Sequence, residues 1–375
     1  MNNKIEYKEL LAFHPGYYVK ELIDDLGINQ EELAKRLQTT PKTVSDLVNG
    51  RINLTDEMAL KLATVFGTST TMWLNLNQKY IEKKLEIEKQ KRLDNECELV
   101  HLLDYKFWVN LGLVKDVRSA ADKVQELQRY FRVSSLSVLR ERDFLVQYRT
   151  SISDVTDVNV INANAWVQTA INIGASIDTP PFNKKQLQKH LPELRGMTVQ
   201  NPSDFIPRLN EILTSCGVAF VILPNLKNCG VNGAVKWLGK DKVILALNDR
   251  GKYADKFWFA FFHELGHVLQ QRLTMLIVSE ANAANLEMDD RLQKLEQQAD
   301  EFSQNTLIPK NEYEQFLADS NGQFSADSIT EFAASIKISP GIVVGRLQHD
   351  QYISHRTSLN SLKAQYILPP RFSVT

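Results

Sequence analysis

Two histidines four residues apart, His263 and His267, enclose a glutamate in the run HELGH. On an α-helix, residues at i and i+4 share one face, so both imidazoles can reach a single ion. A catalytic zinc takes three protein ligands and keeps a fourth position for water. Glu264 projects to the side of that face, which suits it to take a proton from such a water and later give it to a leaving amine. Downstream, LEQQADEFSQNTLIP (295–309) carries Glu296 and Asp300 at i and i+4. Glu296 can complete a set of two histidines and one carboxylate around one zinc ion. Asp300, one turn on, can hydrogen-bond a ligand imidazole. The competing expectation for Glu296 is an exposed helix acid, because Glu287, Asp289, Asp290 and Glu301 crowd the same stretch. Gly266, inside the motif, would let neighbouring backbone approach.

A second constellation lies near the start. Helical patterns over 30–37 and 41–48, joined by QTT, have helix-turn-helix spacing. The second helix would enter a DNA major groove, with Lys42, Thr43, Ser45 and Asp46 toward the bases. Gln30, Asn49 and Arg51 would hold phosphates or flank the site. Thr43 or Ser45 could equally serve only local backbone groups. Residues 1–80 hold nine Lys or Arg against ten Asp or Glu, so no general positive field attracts phosphate. Binding would need Lys35, Arg36, Lys42 and Arg51 clustered, and a dimer to double the contacts. The alternative is a helical protein-interaction domain.

The elements that must position these groups are punctuated clearly. Asn29 with Glu32, Thr40 with Pro41, and Thr55 with Asp56 and Glu57 are helix starts; Gly27 and Asn49-Gly50 are stops. Leu37, Val44 and Leu47 are expected to bury against Leu60 and Leu62. The charged stretch 80–98 predicts a solvated connecting helix. Helical patterns continue to about Gly196, interrupted at Pro180-Pro181. The runs VAFVILP, GAVKWL and KVILALN then predict three strands of a small antiparallel sheet. A long helix over 253–272 carries HELGH beside the apolar run FWFAFF. A peptide substrate could pair with an edge strand, for which Gly233 to Leu238 is the candidate. His349, His355 and Tyr313 are candidates to stabilise an oxyanion, each with an ordinary packing or surface role as the alternative.

Composition bounds the rest. The 375 residues are 43% hydrophobic and 24% charged, with 44 basic against 45 acidic side chains. The chain is long enough for two or three domains. Three cysteines without a close pair form no disulfide framework, no apolar run is long enough to span a membrane, and the charged start is unlike a signal peptide. A cytoplasmic protein is expected.

Two family resemblances sit on these residues. FWFAFFHELGHVL, followed by E-x-x-A-D-x-F and LIP, resembles the ImmA/IrrE family of zinc metallopeptidases, with Gln298 and Ser303 departing from its usual residues. The resemblance implies zinc ligands at His263, His267 and Glu296, a general base at Glu264, and cleavage of a transcriptional regulator. The stretch from His14 to Tyr80 resembles the HigA-type antitoxin branch of the Xre helix-turn-helix family, nearly end to end. That implies a lambda-repressor-like all-α domain binding double-stranded DNA, as a homodimer on a palindromic operator. The resulting expectation is a multi-domain chain. Residues 1–80 form the DNA-binding domain and 81–180 a helical middle. Residues 181–320 form a mainly helical α+β peptidase domain, and 321–375 a helical extension. Its partners would be the operator and a cognate toxin or protein substrate. The alternative function is a non-catalytic antitoxin whose HExxH domain only binds a toxin.

Overall fold

The computed structural model describes residues 3–141, 156–250, 253–271 and 293–368, with the backbone of 276–280 and 290–292. Glu287 and Asp289 lie outside the described residues. The chain divides into two compact units, Met1–Glu98 and Leu99–Thr375.

The first unit opens with a hairpin, β1 (Lys4–Tyr7) and β2 (Leu10–Phe13), followed by α1 (Pro15–Asp25), α2 (Gln30–Arg36), α3 (Pro41–Val48), α4 (Asp56–Phe66) and the start of α5 (Thr70–His101). The caps act where the sequence places them. The side chains of Asn29, Thr40 and Thr55 accept from the backbone N–H of Glu32, Thr43 and Met58. Val19, Leu33, Leu37, Val44, Leu47, Leu62 and Trp73 form the core. Leu60 does not join it: it is 57% exposed, because Ala59, Leu62 and Ala63 take the inner face of α4. Gly16 is where α1 meets α3, since a Cβ there would sit 1.8 Å from the Leu47 carbonyl oxygen.

Two features of this unit depart from the sequence expectation. The hairpin is unannounced because its turn residue with positive φ is Lys8, with no Gly or Asn to signal it. The 80–98 stretch is also more than a solvated connector. It continues α5, buries Tyr80 and Ile87 against Ala12 of the hairpin, and holds Tyr7 and Lys8 through Asp94.

The second unit is built around a sheet. Its elements are α6 (Tyr105–Asn110), α7 (Ala120–Phe131), α8 (Asp157–Ser176), α9 (Lys184–Gly196), α10 (Pro202–Ser215), β3 (Val218–Leu223), β4 (Val231–Leu238), β5 (Lys242–Asn248), α11 (Ala254–Gln270), β6 (Leu276–Glu280), α12 (Asp290–Leu307), α13 (Lys310–Ser320), α14 (Ala326–Ser335) and α15 (Pro340–His349). Strand order is β3-β5-β4-β6. The expected antiparallel arrangement holds for β5, β4 and β6, and β3 joins β5 in parallel. β4 is therefore not an edge. β6 pairs along it from Val231 to Lys236, and the edge beyond β4 passes to β6.

β5 is buried nearly throughout because both faces of the sheet are covered. Val243, Leu245 and Leu247 meet the α10 and α11 layer. On the other face Gly174 lets α8, which lies in the 81–180 stretch, press against Ile244, whose Cγ2 would be 2.6 Å from a Cβ at that position. Among the described residues, no helix is long and apolar enough to cross a membrane.

A Gly16→Ala chain is expected to lose about 3 kcal/mol or more of first-unit stability, since backbone rather than a movable side chain blocks the new methyl. Leu60→Ala should change it by less than about 0.5 kcal/mol. Urea melts of the two variants check both values.

Candidate functional site

α11 and α12 pack against one another, and glycine sets their approach. A Cβ on Gly266 would lie 3.2 Å from Ala299 Cα. Ser303, one of the two departures noted in the sequence, is fully buried and donates its hydroxyl to the Phe259 carbonyl of α11 at 2.9 Å. Gln298, the other departure, is exposed and makes no demand on the interface.

This crossing brings His263, His267 and Glu296 together, with one potential ligand atom from each within 4.8 Å of the others. The two Nε2 atoms are 3.0 Å apart. Glu296 reaches His263 Nε2 at 3.2 Å and His267 Nε2 at 3.4 Å. Zinc bonds of about 2.05 Å in a tetrahedron give ligand separations of about 3.3 Å, so these spacings fit a zinc ion. Glu296 is not the exposed acid of the competing expectation, since its side chain is only 24% exposed.

The outer ring nitrogens fix the chemistry of the inner ones. His263 Nδ1 faces Asp300 Oδ1 at 2.8 Å, as expected for Asp300. His267 Nδ1 faces Gln270 Oε1 at 3.0 Å, and Gln270 is oriented by donating to the Leu295 carbonyl at 2.7 Å. Both Nδ1 atoms thus donate, leaving both Nε2 atoms as lone pairs directed at each other and at a carboxylate. Such a cluster needs a cation or a proton at its centre. Burial alone would favour neutral His263, yet the hydrogen bonds with Asp300 and Glu296 more than offset it and push the imidazole up to about 10. Burial likewise works against a charged Glu296, but the two imidazoles hold its carboxyl down at about 2. A divalent ion would replace that proton on the same three lone pairs.

Glu264 is 1% exposed, on the same helix. It lies against β4 at Gly233, where a Cβ would fall 2.3 Å from Glu264 Oε1. Gln270, Ser303 and Gly233 are contributors that the motif alone does not reveal. The i+3 spacing from His267 could have flagged Gln270; Gly233 becomes visible only once sheet and helix are packed. Tyr313 lies under the Arg346 guanidinium, 4.8 Å from the ring centroid. The exposed His349 ring pairs with Asp350. Neither they nor His355 hydrogen-bond to the three-residue cluster among the described residues.

In the first unit, Gln30, Lys42 and Ser45 line one shallow depression between the starts of α2 and α3. Lys42 is exposed on it. Thr43 is engaged locally, its hydroxyl 2.9 Å from that of Thr40. Asn49 donates to the Ser45 carbonyl at 2.7 Å, a bond that closes α3. Arg51 pairs with Asp46 at 3.5 Å and Arg36 with Glu32 at 2.5 Å. Two of the four expected cations thus carry an acid partner.

Both units have counterparts among known proteins. The helix-turn-helix family matches residues 19–73, spanning α2 and α3. An uncharacterized HTH-type transcriptional regulator of Escherichia coli K12, YddM, is 37% identical over 83 residues, which is 21% of this chain and 88% of that protein. This chain belongs to the helix-turn-helix transcriptional regulators. Its second unit carries an IrrE N-terminal-like domain, matched over 234–348, which contains α11 and α12. Antitoxin HigA-1 of Vibrio cholerae is 38% identical over 56 residues, 15% of this chain and 52% of the antitoxin. A solved addiction-module antidote protein of the HigA family from Coxiella burnetii is 33% identical, with a TM-score of 0.21, covering 22% of this chain and 92% of that one. The regulator is thus a DNA-binding helix-turn-helix unit joined to a domain of the IrrE-like peptidase family.

The pKa pattern sets the pH response. Near neutral pH each zinc bound displaces the His263 proton, so apparent affinity should rise about tenfold per pH unit between about pH 6 and 9. In the metal-free protein the His263 contribution to stability is complete below its ordinary 6.5 and is lost as pH rises through about 10. The Glu296 contribution is present above 4.5 and is lost as pH falls through about 2. Zinc titration against a chelating dye across pH, and melting in chelator, measure the two effects. Asp300→Ala should weaken zinc binding by about 10- to 100-fold.

Proposed function

We propose that the IrrE-like domain is a zinc-dependent endopeptidase holding one ion, in a cytoplasmic regulator that represses a promoter of a toxin–antitoxin or prophage module. The peptidase cleaves a regulator, a partner toxin or the chain itself. One observation carries this reading: three lone pairs, from His263, His267 and Glu296, converge in a buried cluster whose spacing suits zinc. Bound zinc supplies a Lewis acid and lowers the pKa of a water toward about 7.

The chain's own groups do the rest. Asp300 and Gln270 hold the two imidazoles with their Nε2 atoms inward. Glu264, seated against the glycine backbone of β4, takes the proton of the attacking water and delivers it to the departing amine. An extended peptide adds to the sheet through backbone hydrogen bonds at β6, the strand beyond β4.

In the first unit α3 enters the major groove of a palindromic operator, with two chains binding as a homodimer. Lys42, exposed at the start of α3, is the principal contact; Thr43, Ser45 and Asp46 lie along the same helix, and Gln30, Asn49 and Arg51 flank it. Support for the antitoxin setting is the likeness of this unit to the protein named antitoxin HigA-1.

Glu264→Gln should keep zinc at wild-type stoichiometry, measured by elemental analysis, and lose cleavage by at least about 100-fold. Equal cleavage and promoter induction in Glu264→Gln and wild type would instead leave an antitoxin that only binds its toxin. Lys42→Ala combined with Arg51→Ala should abolish the salt-dependent gel shift on the chain's own upstream region, with the melting curve unchanged. An unchanged shift would overturn the assigned DNA face.

A further inference from the structure

His14 is the only histidine in residues 1–98, so no other side chain of the first unit ordinarily titrates between about pH 5 and 8. It is also buried, at 1% exposed. Its Nδ1 accepts from the Gly16 N–H at 3.0 Å, which makes His14 the N-cap of α1. Ser, Thr or Asn would accept the same bond without titrating near neutral pH. Two contacts lead from this cap to the last turn of α3, the second helix of the helix-turn-helix. Gly16 lies against the Leu47 carbonyl oxygen, where a Cβ would come within 1.8 Å. The His14 backbone N–H donates to the Asn3 carbonyl at 2.8 Å, and Asn3 Nδ2 donates in turn to the Val48 carbonyl at 3.3 Å. On α5 the ring meets Tyr80 edge-on, with centroids 4.8 Å apart.

Protonation cannot leave this arrangement intact. A neutral ring that accepts at Nδ1 carries its hydrogen on Nε2. A second proton must therefore enter at Nδ1, where it would face the Gly16 N–H and break the cap. Burial holds the ring below its ordinary 6.5; the Ile52 carbonyl works against that, and Lys84 of α5 adds to it. The other groups on the path are Asn3 of the hairpin, Gly16 of α1, Leu47 and Val48 of α3, and Tyr80 of α5, none of them charged near neutral pH. The stability that the neutral ring contributes is thus complete above 6.5 and is lost as pH falls below it.

We propose that His14 is a positioning residue for DNA binding, which holds the last turn of α3 while neutral and releases it when protonated. Operator affinity is then lost on acidification. The inference rests on the DNA-binding reading of the first unit and uses neither zinc nor Glu264.

NMR titration of the isotope-labelled full-length protein from about pH 7.5 to about 5 tests this. The His14 ring should titrate below 6.5, and the amide signals of residues 47–51 should shift with the same midpoint. His14→Asn, which can cap α1 without titrating, should remove those amide shifts. DNA from the chain's own upstream region should lower the His14 midpoint, because a proton that weakens DNA binding is itself weakened by DNA to the same degree. In gel shifts, wild-type affinity relative to His14→Asn should stay level above 6.5 and fall at least about fivefold by about pH 5. Wild-type protein that fails to bind this DNA at neutral pH would refute the assigned operator, and the amide midpoints would then decide for His14. They also decide if His14→Asn fails to fold. The proposal is overturned if the 47–51 amides do not follow the ring, if the affinity ratio is level throughout, or if bound DNA leaves the His14 midpoint unchanged.

Discussion

Three lone pairs aimed at one point inside a protein repel unless something positive lies between them, and much of the second unit serves to hold them there. His263 and His267 cannot turn away, because Asp300 and Gln270 hold the far side of each ring. Glu296 cannot withdraw, because α12 is drawn against α11 at Gly266 and tied to it by Ser303. A site assembled this way presents its three groups already converged, and the hydrogen bonds of Asp300 and Glu296 favour a proton on His263 despite its burial. The desolvation that makes the cluster expensive also makes it selective for a charge that can satisfy all three groups together.

The sheet contributes at one position above all. Gly233 removes a side chain from β4 where the Glu264 carboxylate must sit, so the buried carboxylate and the strand are fitted to one another by an absent methyl. The same device recurs on α8 at Gly174 and on α15 at Gly345, each time where another element must come within van der Waals contact. Because β6 covers β4, the sheet edge that the sequence suggests at β4 lies one strand outward, at β6.

The DNA-binding unit follows a different economy. It has no surplus of positive charge, and Arg36 and Arg51 are offset by neighbouring acids. What it offers is shape: a capped α3 with an exposed Lys42 beside a depression shared with α2. Affinity from such a surface depends on geometry more than on long-range attraction.

Local chemistry was legible from the sequence because it depends on residues near one another in the chain. The caps at Asn29, Thr40 and Thr55, the i and i+4 imidazoles, and the Glu296–Asp300 pair all follow from helical spacing, and the family resemblances rest on those same runs. Leu60 and Leu62 were not separable that way, since both are apolar and only the packing of α4 decides which one faces inward. The β1–β2 hairpin stayed hidden because Lys8 occupies the turn position that glycine or asparagine would have marked. The strand order, the burial of Glu296 and the seating of Glu264 against Gly233 belong to the tertiary structure alone. Each is fixed by contacts between segments far apart in the chain, and no local spacing encodes which of those segments will meet.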